Sequence, residues 1–269
     1  MILRQEELEV PTKSKLKNKY KELEKFFDSY TGEFNLENKK DQKNIQLKID
    51  HSKRVVTNMK EIIAEMSLSA EEKNLSKIIA LFHDIGRFKQ YQEYKTFSDY
   101  KSVDHSQLGI KVIKENKLIA DLSASQQNII YKAIKQHNKA DLIPENFEND
   151  SELFFAKLIR DADKLDIFNI FVERYKKGSQ KDYVIKLSTD PEISSEIYHR
   201  VLKGESINYD KLETINDLKV MQLGWIYDIN FKETLAIIKN REYVEIIYNS
   251  MDQSQIAEAI YQKIKRYIK

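Results

Sequence analysis

The chain has 269 residues, and its 45 basic and 43 acidic side chains nearly cancel to a net charge of +2, which gives no electrostatic ground for a nucleic-acid or membrane partner. Cysteine is absent, which excludes disulfides, thiolate metal sites and a cysteine nucleophile, and no run approaches the ~20 apolar residues needed to span a bilayer. Six glycines and three prolines leave few turns, so the length suits one large helical core, or a core with an appendage.

The N-terminal run from Met1 to Glu7 turns acidic where a secretory leader needs apolar residues, and the expectation is a soluble cytoplasmic protein. Residues 13–30 place Leu16, Tyr20, Leu23, Phe27 and Tyr30 on one stripe at helix spacing, with the lysines of 13–19 on the solvated face. The polar stretch 32–44 reads as a loop. From 45 to 67 the stripe is Val55, Met59, Ile62 and Met66, with His51 in register four residues before Val55. A helix over 70–85 carries Leu75, Ile78, Ile79 and Phe82; His83 and Asp84 sit in its last turn, and Gly86 supplies the stop.

Residues 87–101 are aromatic and polar without a period and read as a loop. Asp104 or Ser102 caps a helix through Leu108, Val112 and Ile113, which puts His105 in its first turn. The helix 123–137 aligns Ile130, Ala133 and Ile134 with His137, and Pro144 breaks the segment after it. The helix 151–176 is apolar nearly all round, which marks it as central. Within it lie Asp161, Asp163 and Asp166, and buried carboxylates need partners; periodicity does not choose among the three. A charged linker and two or three helices complete the chain, with the run around Trp225 read as core packing. The fold class predicted is all-α. Its division is a helical extension over 1–44, a core over 45–176 and a helical subdomain over 177–269.

Four of the five histidines, His51, His83, His105 and His137, fall in one ordered set with Asp84 and the later aspartates; His199 reads as an ordinary core or capping residue. Helices that each deliver a polar group to the interior make a metal cavity in an all-helical protein, and imidazole with carboxylate suits borderline divalent ions.

His51, then His83 and Asp84 within the run ALFHDIGR at 80–87, then Ala162, Asp163, Lys164, Leu165 and Asp166, resemble the signature of the HD-domain superfamily over about residues 45–175. The resemblance implies an HD-domain helical bundle with additional N- and C-terminal helices. It implies His51, His83, Asp84 and Asp163 as ligands of a first metal, selecting Asp163 from the three candidates. His105 and His137 then hold a second metal, with Asp84 bridging. The ions implied are divalent, two in number, drawn from Mn, Fe, Co, Ni or Zn with Mg admissible.

A phosphohydrolase is the first implied activity, a metal-activated hydroxide cleaving a small-molecule phosphoester, a nucleotide by preference. Lys164 and Arg87 stand where they neutralise the substrate's charge. A diiron oxygenase acting on a polyol or phosphonate is the alternative, and a metal-binding sensor module the third. The aromatic segment 88–100 and the C-terminal tail are expected to wall the pocket. A homo-oligomer is left open.

Overall fold

The computed structural model describes residues 13–34, 36–178 and 187–269; the expectation of no leader rests on residues outside these. The described residues are all-α, with one isolated bridge between Ser188 and Thr214 and no extended strand. Among them no helix is long and apolar enough to cross a membrane. They fall into two compact units that divide between Arg160 and Asp161.

The first unit opens with α1 (Lys13–Gly32), whose Leu16, Tyr20, Leu23, Phe27 and Tyr30 are all buried, as their spacing predicts. Helix α2 (Lys39–Ala64) starts earlier than the polar composition suggests, because Asn38 accepts hydrogen bonds from the amides of Lys40 and Asp41 and caps it. The loop before it is correspondingly short. Helix α3 (Ala70–Phe82) is set by a reciprocal capping box between Ser69 and Glu72 and packs on α1 and α2.

Two expectations around Gly86 fail. The segment 87–101 is not all loop: α4 (Gly86–Tyr94) occupies its first half, with Phe88 and Tyr91 buried one turn apart. Phe88 packs edge-on against Phe27 and Tyr30, and the Tyr91 hydroxyl donates to Asp41 and accepts from Asn44, so both belong to the core and not to a pocket wall. Gly86 is not a stop either, since it begins α4. A Cβ there would collide with the His105 carbonyl oxygen and the backbone of Gly109, so glycine is required for close approach of two helices.

The second of those helices is α5 (His105–Glu115), capped by Asp104, whose Oδ1 accepts from the amides of Ser106 and Gln107. Helix α6 (Ala124–Gln136), with a Ser123–Gln126 capping box, packs on α3 and α5. Pro144 opens a 3-10 turn rather than a helix. Helix α7 (Asp150–Lys176) comes next, and Arg160 is the last residue of the first unit.

The second unit holds the rest of α7 and five shorter helices, where two or three were expected: α8 (Ser195–Lys203), α9 (Ile215–Gly224), α10 (Lys232–Asn240), α11 (Tyr243–Asn249) and α12 (Gln255–Tyr267). Helix α9 is buried from Ile215 to Leu223 and is the unit's centre. Trp225 lies against Phe168 and Phe171, which supports core packing over base stacking.

Candidate metal centre

The first unit brings His51, His83, Asp84, His105 and His137 together from four places in the sequence. His51 lies mid-helix on α2; His83 is the C-cap of α3, with Asp84 beside it in the turn to α4. His105 is the first residue of α5 and His137 the C-cap of α6. All five are buried. Helix ends are used because a side chain at a terminus reaches the centre while the apolar stripe of its own helix stays packed.

The donor atoms form two sets sharing Asp84: His51, His83 and Asp84, and Asp84, His105 and His137, each with its atoms within 4.8 Å of one another. Asp84 Oδ2 stands 3.4 Å from His51 Nε2 and 3.8 Å from His83 Nε2. Its other oxygen, Oδ1, stands 3.1 Å from His105 Nε2 and 3.8 Å from His137 Nε2. Within the pairs, Nε2 to Nε2 is 3.3 Å for His51 and His83 and 3.0 Å for His105 and His137. Two donors on one ion at ~2.1 Å lie ~3.0–3.4 Å apart at octahedral or tetrahedral angles. The observed spacings fall close to that window.

The far sides of the rings fix which nitrogen faces inward. His83 Nδ1 donates to the carbonyl of Ala80 at 2.8 Å, and His137 Nδ1 to that of Ile134 at 2.6 Å. His105 Nδ1 donates to Asp99 Oδ2 at 2.7 Å. A carbonyl or carboxylate oxygen only accepts, so each of these rings carries a proton on Nδ1, and in its neutral form turns the Nε2 lone pair to the centre. Neutral rings 3.0 Å apart at Nε2 are held together by a proton or a metal cation between them. The donor set present fits divalent metal.

Two cationic side chains also reach the Asp84 carboxylate. Lys48 Nζ lies 2.8 Å from Asp84 Oδ2, and Arg87 Nε lies 3.3 Å from Oδ1. Burial alone would push the Asp84 carboxyl up, but Lys48, with His83, His105 and His137, outweighs it and holds the carboxyl well below the usual carboxylate range. His105 is opposed by burial, yet its bonds to Asp84 and Asp99 keep its proton above the usual imidazole value. The centre attracts positive charge from every source available.

Lys48 escaped the sequence reading, although it precedes His51 by three residues and so shares its helix face. Asp99 escaped it too, standing in an aperiodic segment with no local mark. Arg87, expected to meet substrate, also donates through Nη1 to Gln90, to the Phe97 carbonyl and to Asp99 Oδ1 at 2.8 Å, which ties the segment after α4 to the centre.

Arg160 donates to the carbonyls of Lys139 and Ala140, securing the chain just past His137.

In the second unit, Asp161 is committed elsewhere: it accepts from Asn230 N, Asn230 Nδ2 and Phe231 N, ahead of α10. Burial raises its carboxyl above the usual value against those bonds. Asp163 and Lys164 are half-buried on α7, and Lys164 forms an ion pair with Asp228. His199 is exposed and packs on its neighbour Tyr198, where a core or capping residue was expected, and it lies outside the histidine cluster.

Residues 49–167 match the family model of the HD domain, a span that holds all five clustered residues and Asp163. No curated protein and no solved structure matches the chain.

Proposed function

The chain carries an HD domain over residues 49–167, a domain associated with metal-dependent, hydrolase-type activity, and on that premise we propose that it is a binuclear phosphohydrolase acting on a small phosphoester. The observation that carries this reading is Asp84, whose two oxygens face two separate histidine pairs. A carboxylate so placed would help to hold an ion in each half, and two ions would supply the chemistry of in-line displacement at phosphorus. Bound divalent ions supply Lewis acidity and lower the pKa of coordinated water toward ~7.

Each of the chain's own residues has a role in this proposal. His51, His83, Asp84, His105 and His137 hold the ions by inward Nε2 and carboxylate oxygens. Asp163 is a ligand of the first ion by the resemblance alone. Lys48 sits in hydrogen-bond contact with Asp84 Oδ2 and is partly exposed, at 22% of its side chain. Its flexible stem would let the ammonium turn from Asp84 to an anionic substrate when the carboxylate holds metal. Arg87 holds Asp84, the Phe97 carbonyl and the Asp99 carboxylate in place; Lys164 is paired with Asp228 within the second unit.

Two features favour a nucleotide over a sugar phosphate. Tyr94 and Tyr100, on either side of the residues that Arg87 secures, are exposed, Tyr100 at 99%, and an open aromatic face stacks bases. Phe97 between them lies against Tyr91 and under the Lys48 ammonium.

The test is turnover of a panel of nucleotides and simple phosphoesters with Mn, Co, Ni, Mg and Fe under anaerobic conditions. Release of phosphate or nucleoside without oxygen is the expected result. Oxygen consumption by the iron-loaded protein, with no phosphate released in any metal, would overturn hydrolysis in favour of an oxygenase. The absence of any bound ion would leave a non-catalytic module.

A further inference from the structure

Asp99 lies outside every ligand set read from the sequence, yet four donors converge on it. Oδ2 accepts from His105 Nδ1 at 2.7 Å and from Asn138 Nδ2 at 3.1 Å. Oδ1 accepts from Arg87 Nη1 at 2.8 Å and from Gln90 Nε2 at 2.8 Å. Gln90 is itself fully buried and donates also to Ser102 Oγ and the Val103 carbonyl, so the carboxylate is held from a fixed floor. The contacts close a ring: Asp84 to Arg87, Arg87 to Asp99, Asp99 to His105, and His105 back to Asp84.

The histidine ligands are not served alike. His83 and His137 donate Nδ1 to neutral helix carbonyls, whereas His105 donates to a full negative charge. A carboxylate behind an imidazole makes the opposite nitrogen a stronger donor and fixes its ring plane. We propose that Asp99 is the positioning residue of the second ion, raising the donor strength of His105 and making the His105–His137 half of the centre depend on the docked segment between α4 and α5. The inference rests on the two-ion reading of the proposed function. It adds that the second half takes a charge delivered from a 3-10 turn (Asp99–Lys101), behind His105, beside the helix carbonyl behind His137.

Metal titration by calorimetry, with Mn and with spin-coupling of the Mn pair followed by paramagnetic resonance, tests this without any substrate. Asp99→Asn keeps the shape and removes the charge. The expected result is an unchanged first ion, a second ion bound about 10–100-fold more weakly, and loss of the coupled-pair signal. Gln90→Ala loosens the same segment but leaves the charge, and is expected to weaken the second ion less than Asp99→Asn does. Equal weakening in the two variants, equal weakening of both ions in Asp99→Asn, or no change at all would each overturn the role given to Asp99. A wild-type protein that takes up only one ion would instead remove the two-ion reading, and the inference with it.

Discussion

Each unit buries aspartates, and the two units resolve the cost in opposite ways. In the second unit Asp217, wholly buried, accepts from Ser194 N, Ser194 Oγ, Glu213 N and Thr214 N, each a donor with its proton in hand. Asp161 is satisfied similarly by Asn230 and Phe231. Such a carboxylate is complete: it fixes a turn and caps a helix. In the first unit Asp84 instead faces imidazole nitrogens from both of its oxygens, and two long cationic side chains. Those imidazoles and the carboxylate are a donor set for a divalent ion. Burial of a carboxylate does not distinguish a metal centre from a structural anchor; the character of its neighbours does.

The contrast between the units breaks most visibly at Asp84. Asp84→Asn removes the one carboxylate charge that faces both histidine pairs, so on the proposed function turnover of a phosphoester is expected to fall by about 10³-fold, the upper end for loss of one stabilising group. Metal content by mass spectrometry is expected to fall with it, and activity that survives would place the chemistry elsewhere.

Asp217→Ala probes the opposite case. It strands four donors and is expected to cost about 3 kcal/mol in denaturant unfolding while the ion content of the folded protein stays unchanged. Loss of ions in that variant would blur the distinction drawn between the two units.

Acid sharpens it. The raised His105 value means that its proton favours the ion-free fold below the unfolded imidazole value of ~6.5, and that this gain is lost as pH rises through the folded value. Ion uptake requires the bare nitrogen, so affinity is expected to climb with pH across that window, approaching about tenfold per unit for one released proton. Calorimetry in two buffers of different protonation enthalpy would read that proton; an affinity flat in pH would contradict it.

The smallest effect expected is at Lys48. Lys48→Met leaves the ion ligands intact and removes a competing cation, so ion affinity is expected to hold or tighten. KM for the phosphoester should rise about tenfold, the worth of one charge-assisted hydrogen bond. An unchanged KM would return Lys48 to a purely structural role.

Much of this centre was legible in the residue order because its ligands obey helix periodicity. His51 continues the stripe of Val55 and Met59, and His137 that of Ala133 and Ile134, so each is aimed inward by the helix that carries it. Where periodicity stops, legibility stops. Asp99 acts from a 3-10 turn, and its partners Arg87, Gln90 and Asn138 are gathered by tertiary packing alone. Gly86 was read by the commoner habit of glycine, as a helix stop, when its reason is the passing backbone of α5. Helix α4 was hidden because Phe88 and Tyr91 are its main buried apolar side chains and its other positions are largely polar. The second unit's helices are too short for their periods to be counted reliably, which is why five were compressed to two or three.

Anomalous diffraction from crystals grown with Mn bears most directly on the claim that buried imidazoles and one shared carboxylate bind divalent ions. Two peaks are expected, one at ~2.0–2.2 Å from Nε2 of His51 and His83, the other at that distance from Nε2 of His105 and His137, with an oxygen of Asp84 on each. Imidazoles that remain in mutual contact with no ion between them, while Mn appears elsewhere or nowhere, would contradict it.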